Sequence, residues 1–211
     1  MARYLDVHPD NPQPRLLGQI ADALRDDQLI AYPTDSGYAL GSRLGNRDGR
    51  DRILRIRGLD DRHHFTLMCR DFSQLGQLVH VDNAAFRAIK AATPGPYTFI
   101  LEASKEVPRR LSHPSRKTIG LRVPEHKTLQ CLLELHGAPL LATTLIPRGV
   151  TEPLNDAQEI RDLMEHELAA VVDAGACHQE PTTVIDLTPM GDGGDALVTR
   201  QGRGDITKLG L

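Results

Sequence analysis

A chain of 211 residues, 40% apolar with a formal net charge of −3, has the length of one ordinary domain and enough apolar side chains for a core. The charge excludes a grip on nucleic acid by bulk positive charge alone, and no run approaches the roughly 20 apolar residues that a membrane span needs. Cys69, Cys131 and Cys177 lie far apart without metal-ligand spacing and the N-terminus lacks a signal-peptide core, so a cytoplasmic protein is expected, with one domain over 1–211, no structural metal and no membrane partner.

In chain order, Asn11-Pro12-Gln13-Pro14 followed by Leu16, Leu17, Ile20 and Leu24 at helical spacing predicts a helix over 13–26. A buried strand is expected at 28–32. Pro33 then ends its ladder, and Thr34-Asp35-Ser36-Gly37-Tyr38 reads as a hydroxyl-rich, glycine-spaced loop at the strand's end, either an ordinary turn or a ligand loop. Ile53 and Ile56 set a helix over 47–57, and a strand over 65–69 follows. A helix at 84–92, strands at 97–102 and 118–123, a helix over 127–136 stopped at Gly137 and a strand at 140–144 continue the alternation. The last part holds a helix at 156–167 and short strands at 170–173, 183–187 and 196–199. Such alternation predicts a layered α/β fold, a central sheet covered by helices, with ligands at the strand-end loops.

Charge is unevenly spread. Between Arg43 and Arg70 there are eight arginines against four aspartates, while 152–167 is acidic; the basic stretch is either a solvated helix with Asp–Arg pairs or a face for phosphates. Leu54-Arg55-Ile56-Arg57-Gly58 separates two arginines by one apolar residue, giving a solvated helix face if they diverge or an anion clamp if the helix end frays. His63 and His64 are either surface histidines or aids to binding and proton transfer. Arg122, inside the apolar strand Thr118–Val123, needs a partner, a carboxylate or a phosphate. The turn Thr93-Pro94-Gly95-Pro96 leaves Tyr97 and Thr98 as contacts, and Pro181-Thr182-Thr183 with Arg200-Gln201-Gly202 supplies hydroxyls, amides and a guanidinium suited to phosphate.

Taken in order over about residues 13–203, these motifs resemble those of the YrdC/YciO superfamily of threonylcarbamoyl-AMP synthase-like proteins. His8-Pro9-Asp10-Asn11-Pro12, Phe65-Thr66-Leu67-Met68-Cys69-Arg70-Asp71 and Val107-Pro108-Arg109-Arg110-Leu111 are similar to its bacterial YciO subgroup. The synthases carry Lys-x-Arg where this chain has Arg55 and Arg57, and Ser-x-Asn where it has Thr144 and Ile146, so a hydroxyl is kept and an amide is lost. The resemblance implies an α/β fold with an open, twisted mixed sheet flanked by helices and a concave basic surface. It implies a diverged L-threonylcarbamoyladenylate synthase that joins L-threonine, bicarbonate and ATP into threonylcarbamoyl-AMP and pyrophosphate for tRNA modification, with Mg²⁺ held through the ATP phosphates. Carried over residue by residue, it implies Arg55, Arg57 and Thr144 as catalytic, Thr34, Tyr38 and Thr98 as substrate-binding, and Arg122, Thr182, Thr183 and Arg200 as nucleotide-binding. The alternative is a protein that binds double-stranded RNA or tRNA in translation without synthase activity; a nucleotide-dependent enzyme acting on a different small acid is a third.

Overall fold

The helices expected at 47–57 and 127–136 form with those bounds in the computed structural model, which describes residues 1–210. In chain order the elements are β1 (Arg3–Asp6), α1 (Pro14–Arg25), β2 (Ile30–Thr34), β3 (Gly37–Arg43), α2 (Arg47–Arg57), β4 (Thr66–Met68), α3 (Phe72–Leu78) and α4 (Asn83–Ala92). They continue with β5 (Tyr97–Glu102), β6 (Thr118–Arg122), α5 (Lys127–His136), β7 (Leu140–Thr144), α6 (Ala157–Met164), β8 (Ala170–Asp173), β9 (Thr183–Asp186) and β10 (Leu197–Arg200). The chain packs as two units, Met1–Asp60 with His126–Gln179 and Asp61–Glu125 with Glu180–Leu211.

In the first unit the strand order is β1-β8-β2-β3-β7. β8 runs parallel to both β1 and β2, whereas β3 is antiparallel to β2 and β7, so the sheet is mixed and open. α1 turns Leu17, Ile20, Ala21 and Leu24 inward and packs on α5, which buries Leu129, Leu132 and Leu133; each large side chain so covered contributes about 1.5–3 kcal/mol. Asn46 caps α2 by accepting from the Gly49 N–H at 2.8 Å, and Gly58, at φ 65°, ends the helix directly after Arg57. In the second unit the order is β4-β6-β5-β9-β10, again with parallel and antiparallel neighbours.

The expectation of a strand that stops at Pro33 and opens into a loop is corrected. β2 runs through Pro33 to Thr34, reverses over Asp35 and Ser36, and pairs along β3 from Thr34↔Gly37 to Ile30↔Gly41. Proline is tolerated because Tyr38, its partner, directs its N–H to Asn155 and accepts from Leu145 on the side away from β2. The missing Pro33 donor therefore faces away from β3, where β8 pairing has already ended at Ala31. Gly41 is strand rather than loop because the Tyr32 ring lies across it: a Cβ there would come 2.3 Å from the ring. β1, with Leu5 its one buried residue, and the seven-residue α3 carry too little apolar pattern to be foreseen.

Candidate functional site

The first unit assembles its candidate residues around the β2–β3 hairpin and the end of β7. Thr34 is 2% exposed, and its hydroxyl donates to the Gly37 carbonyl at 2.7 Å while accepting from the Ser36 N–H at 3.0 Å. That hydroxyl therefore shapes the turn, which Gly37 completes at φ 104°. Tyr38 is buried, with its phenol donating to the Val172 carbonyl at 3.0 Å. Burial first, and the Asp173 charge second, push its pKa far above the usual tyrosine value. The Tyr38 carbonyl accepts from the Leu145 N–H at 2.9 Å, tying the hairpin to the end of β7.

Arg55 and Arg57 diverge, as an i, i+2 pair on a helix must. Arg55 points outward and its Nη2 lies 3.3 Å from Glu167 Oε2. Arg57 turns the other way, and its Nη1 donates to the Thr144 carbonyl at 2.8 Å. Its Nε is shielded from solvent without a hydrogen-bond acceptor, and among the described residues no carboxylate neutralises it. Burial accordingly lowers its pKa. A half-desolvated guanidinium in this state gains most from an added anion. Thr144 leaves its side chain exposed at the strand end, and the half-buried Ile146 returns its backbone N–H to the Thr144 carbonyl at 3.1 Å.

Two further residues of this unit were not singled out from the sequence. Asn155 places Oδ1 3.4 Å from the Tyr38 N–H and 3.7 Å from the Cys177 thiol. His126 caps α5, its Nδ1 accepting from the Leu129 N–H at 3.4 Å, which puts its proton on Nε2. Burial lowers the His126 pKa and the Asp35 charge opposes that shift. Neither sits in a recognisable motif; an asparagine after a proline-containing turn carries no signal until the hairpin it touches is built.

The second unit brings together Thr98, Thr182, Thr183, Arg122 and Arg200. The hydroxyls of Thr98 and Thr182 are 2.8 Å apart, and Arg200 grips Thr182 twice, Nε to its carbonyl at 3.0 Å and Nη2 to its hydroxyl at 2.9 Å. Thr98, read from the sequence as a substrate contact, thus lies against Thr182, one of the residues read as nucleotide-binding. Thr183 is fully buried, donating to the Gly204 carbonyl at 2.7 Å and accepting from the Gly202 N–H at 3.0 Å. Arg122 is 6% exposed at the end of β6. Burial, and then the like charge of Arg122, lower the Arg200 pKa, and among the described residues Arg200 has no carboxylate partner. Arg200 thus holds a half-desolvated guanidinium against the Thr182 hydroxyl and carbonyl, a setting in which a further anion would be favoured. His63 packs edge-on against Phe65, and His64 lies 4.5 Å from the His113 ring. Among the described residues no three His, Cys, Asp or Glu side chains form a set able to hold a metal ion, and no helix is long and apolar enough to cross a membrane.

The Sua5/YciO/YrdC family model, described as telomere recombination, matches residues 22–202. The chain belongs to this family. It is 48% identical to the YciO protein of Escherichia coli over 206 residues, 98% of each chain, and the crystal structure of that protein superposes with a TM-score of 0.92 over 99% of this chain and all of that one. The threonylcarbamoyl-AMP synthase of Chromobacterium violaceum is 33% identical over 85% of this chain and 92% of its own. The P. abyssi Sua5 protein, crystallised in complex with L-threonine, shares the fold with a TM-score of 0.85 at 24% identity, covering 95% of this chain and 58% of that one. The family members thus share an α/β fold with an open sheet, as the resemblance implied.

Proposed function

We propose that this family member is a diverged threonylcarbamoyl-AMP synthase that takes L-threonine, bicarbonate and ATP. The observation that supports it is two half-desolvated arginines without a carboxylate partner among the described residues: Arg57 beside Thr144, and Arg200 near Arg122 with the Thr98–Thr182 hydroxyls. In this reading Arg57 and Thr144 hold the amino acid and its carbamate, and Arg200 with Thr98, Thr182 and Thr183 holds the nucleotide phosphates. Threonine and bicarbonate first give N-carboxythreonine with loss of water; its carboxylate oxygen then bonds to the α-phosphorus of ATP as the bond to the bridging oxygen breaks, releasing pyrophosphate. Such chemistry asks for clamps and charge stabilisation rather than a protein nucleophile. Mg²⁺ would arrive on the ATP phosphates, as befits a cation that retains waters and phosphate oxygens. Identity of 33% to a named synthase over most of both chains gives the assignment its chemical content. Arg57 matches the arginine of the synthase pair, while Arg55, drawn to Glu167, marks the divergence together with Ile146.

The test supplies purified protein with Mg-ATP, L-threonine and labelled bicarbonate, traps the labile product by transfer to tRNA, and includes a working synthase as control. Label in tRNA that disappears in Arg57→Ala and in Arg200→Ala is the expected result. Undiminished label in both variants would overturn the assignment of these residues, and no label with the native protein would overturn the activity.

A further inference from the structure

Asn155 joins the hydrogen-bonded chain that runs from Arg57 through the end of β7 to the hairpin. Arg57 holds the Thr144 carbonyl, the next residue Leu145 donates to the Tyr38 carbonyl, and the Tyr38 N–H donates to Asn155 Oδ1. The Leu154 N–H also donates to the Leu145 carbonyl at 3.0 Å, laying the 154–155 segment alongside the end of β7. The approach is close: a Cβ on Gly37 would come 3.1 Å from Asn155 Oδ1.

The neighbours fix which way the amide points. A backbone N–H and the Cys177 thiol are both donors toward the same atom, so that atom is the amide oxygen. Nδ2 therefore faces the other way with two protons to give. Its partner is the Pro153 carbonyl at 3.5 Å, the outer limit of a hydrogen bond. A half-buried amide whose oxygen faces two donors and whose nitrogen has a single long contact keeps donor capacity for a ligand. Ile146, next to the same carbonyl that Arg57 grips, has no side-chain donor to offer.

We propose that Asn155 is the side-chain amide that donates, through Nδ2, to the carboxylate or carbamate held by Arg57, replacing a donor that Ile146 cannot supply. The inference rests on the function proposed above and adds a specificity-determining residue to its amino-acid site. Asn155→Asp separates this role from a structural one. An aspartate still accepts from the Tyr38 N–H, and so keeps the hairpin in place, but sets a negative charge where the donor was.

The experiment measures L-threonine binding by calorimetry on the full chain, native, Asn155→Ala and Asn155→Asp, with ATP binding and melting temperature recorded for each. Native binding that weakens at least about tenfold in both variants, more in Asn155→Asp, with ATP affinity unchanged, is the expected result. Native-like L-threonine binding by Asn155→Asp would show that the oxygen alone matters and would sink the inference while leaving the proposed function standing. No L-threonine binding by the native protein would remove the amino-acid half of that function and the inference with it. Should Asn155→Asp not fold, Asn155→Ala decides: a rise in the KM for L-threonine with the KM for ATP unmoved supports a ligand donor, and equal losses in both overturn it.

Discussion

Arg55 and Arg57 leave the last turn of α2 in different company, and that difference sets what each can do. Arg55 is two-thirds exposed beside Glu167, where an ion pair is worth roughly 0–1 kcal/mol. Arg57 carries its charge into a half-buried setting with a carbonyl in place of a counter-ion. Removing Arg57 should cost on the order of 10–100-fold in turnover, the range for a charge-assisted hydrogen bond to a bound anion. Removing Arg55 should change turnover by less than about threefold, within what an exposed pair is worth. Steady-state kinetics of the two alanine variants side by side check this, and equal losses would mean that α2 acts by its bulk positive charge. The sequence displayed both arginines but not this asymmetry, because Glu167 is more than a hundred residues away and only the folded chain brings it to Arg55.

At the scale of elements, α5 depends on His126 for its first turn. Burial holds the His126 pKa below its ordinary 6.5, so the unfolded chain takes up a proton first on acidification. The stabilisation is complete above that ordinary value and is lost as pH falls through the range below it. His64 and His136, also lowered chiefly by burial, act in the same direction. The melting temperature should therefore fall as pH drops below about 6.5, and His126→Asn, which keeps a cap acceptor without a titrating ring, should flatten part of that slope. A slope unchanged in the variant would assign the loss to the other histidines. In the second unit, Gly202 lets the chain after β10 fold onto β9, for a Cβ there would lie 2.2 Å from the Pro181 carbonyl oxygen. Gly202→Ala should cost about 1–3 kcal/mol in chemical denaturation and weaken ATP binding with it, since Thr183 and Arg200 are set by the same turn.

Element order was legible where apolar spacing and punctuation agree. The α2 and α5 spans end just before glycines that adopt the left-handed conformation, and β5, β7 and β8 carry the apolar triplets Phe99-Ile100-Leu101, Leu140-Leu141-Ala142 and Ala170-Val171-Val172. β3 was hidden because Gly37 and Gly41 read as loop, although Gly41 serves the Tyr32 ring. Among the candidate residues, the arginines were visible as charges out of place. Thr34 spends its hydroxyl inside its own turn, a use the hydroxyl-rich loop motif shares with a ligand contact, while the Tyr38 phenol on Val172 depends on a tertiary partner that no local pattern encodes.

For the molecule as a whole, the aromatic inventory bears on the RNA-binding alternative. Of eight Phe and Tyr residues, Tyr32, Tyr38, Tyr97, Phe65 and Phe99 are buried. Exposed Phe86 already meets Phe72 edge-on at 4.7 Å, so little remains on which bases can stack. With a net charge of −3, RNA binding should be weak and should vanish as salt rises toward physiological strength. Filter binding of a tRNA over a salt series checks this; tight binding that resists salt would favour the RNA-binding reading instead.

The way the two units are threaded bears on how the protein is made. The chain changes unit after Asp60, Glu125 and Gln179, and β1 finds its partner only when Ala170–Asp173 exists, with Arg3 opposite Ala170. The second unit likewise waits for Thr183–Asp186 and Leu197–Arg200. Because such distant pairings must precede closure, a nascent chain leaving the ribosome can complete the strand pairing of neither unit until it is nearly finished. Its apolar strands stay uncovered for most of translation, the interval in which a chaperone has most to protect.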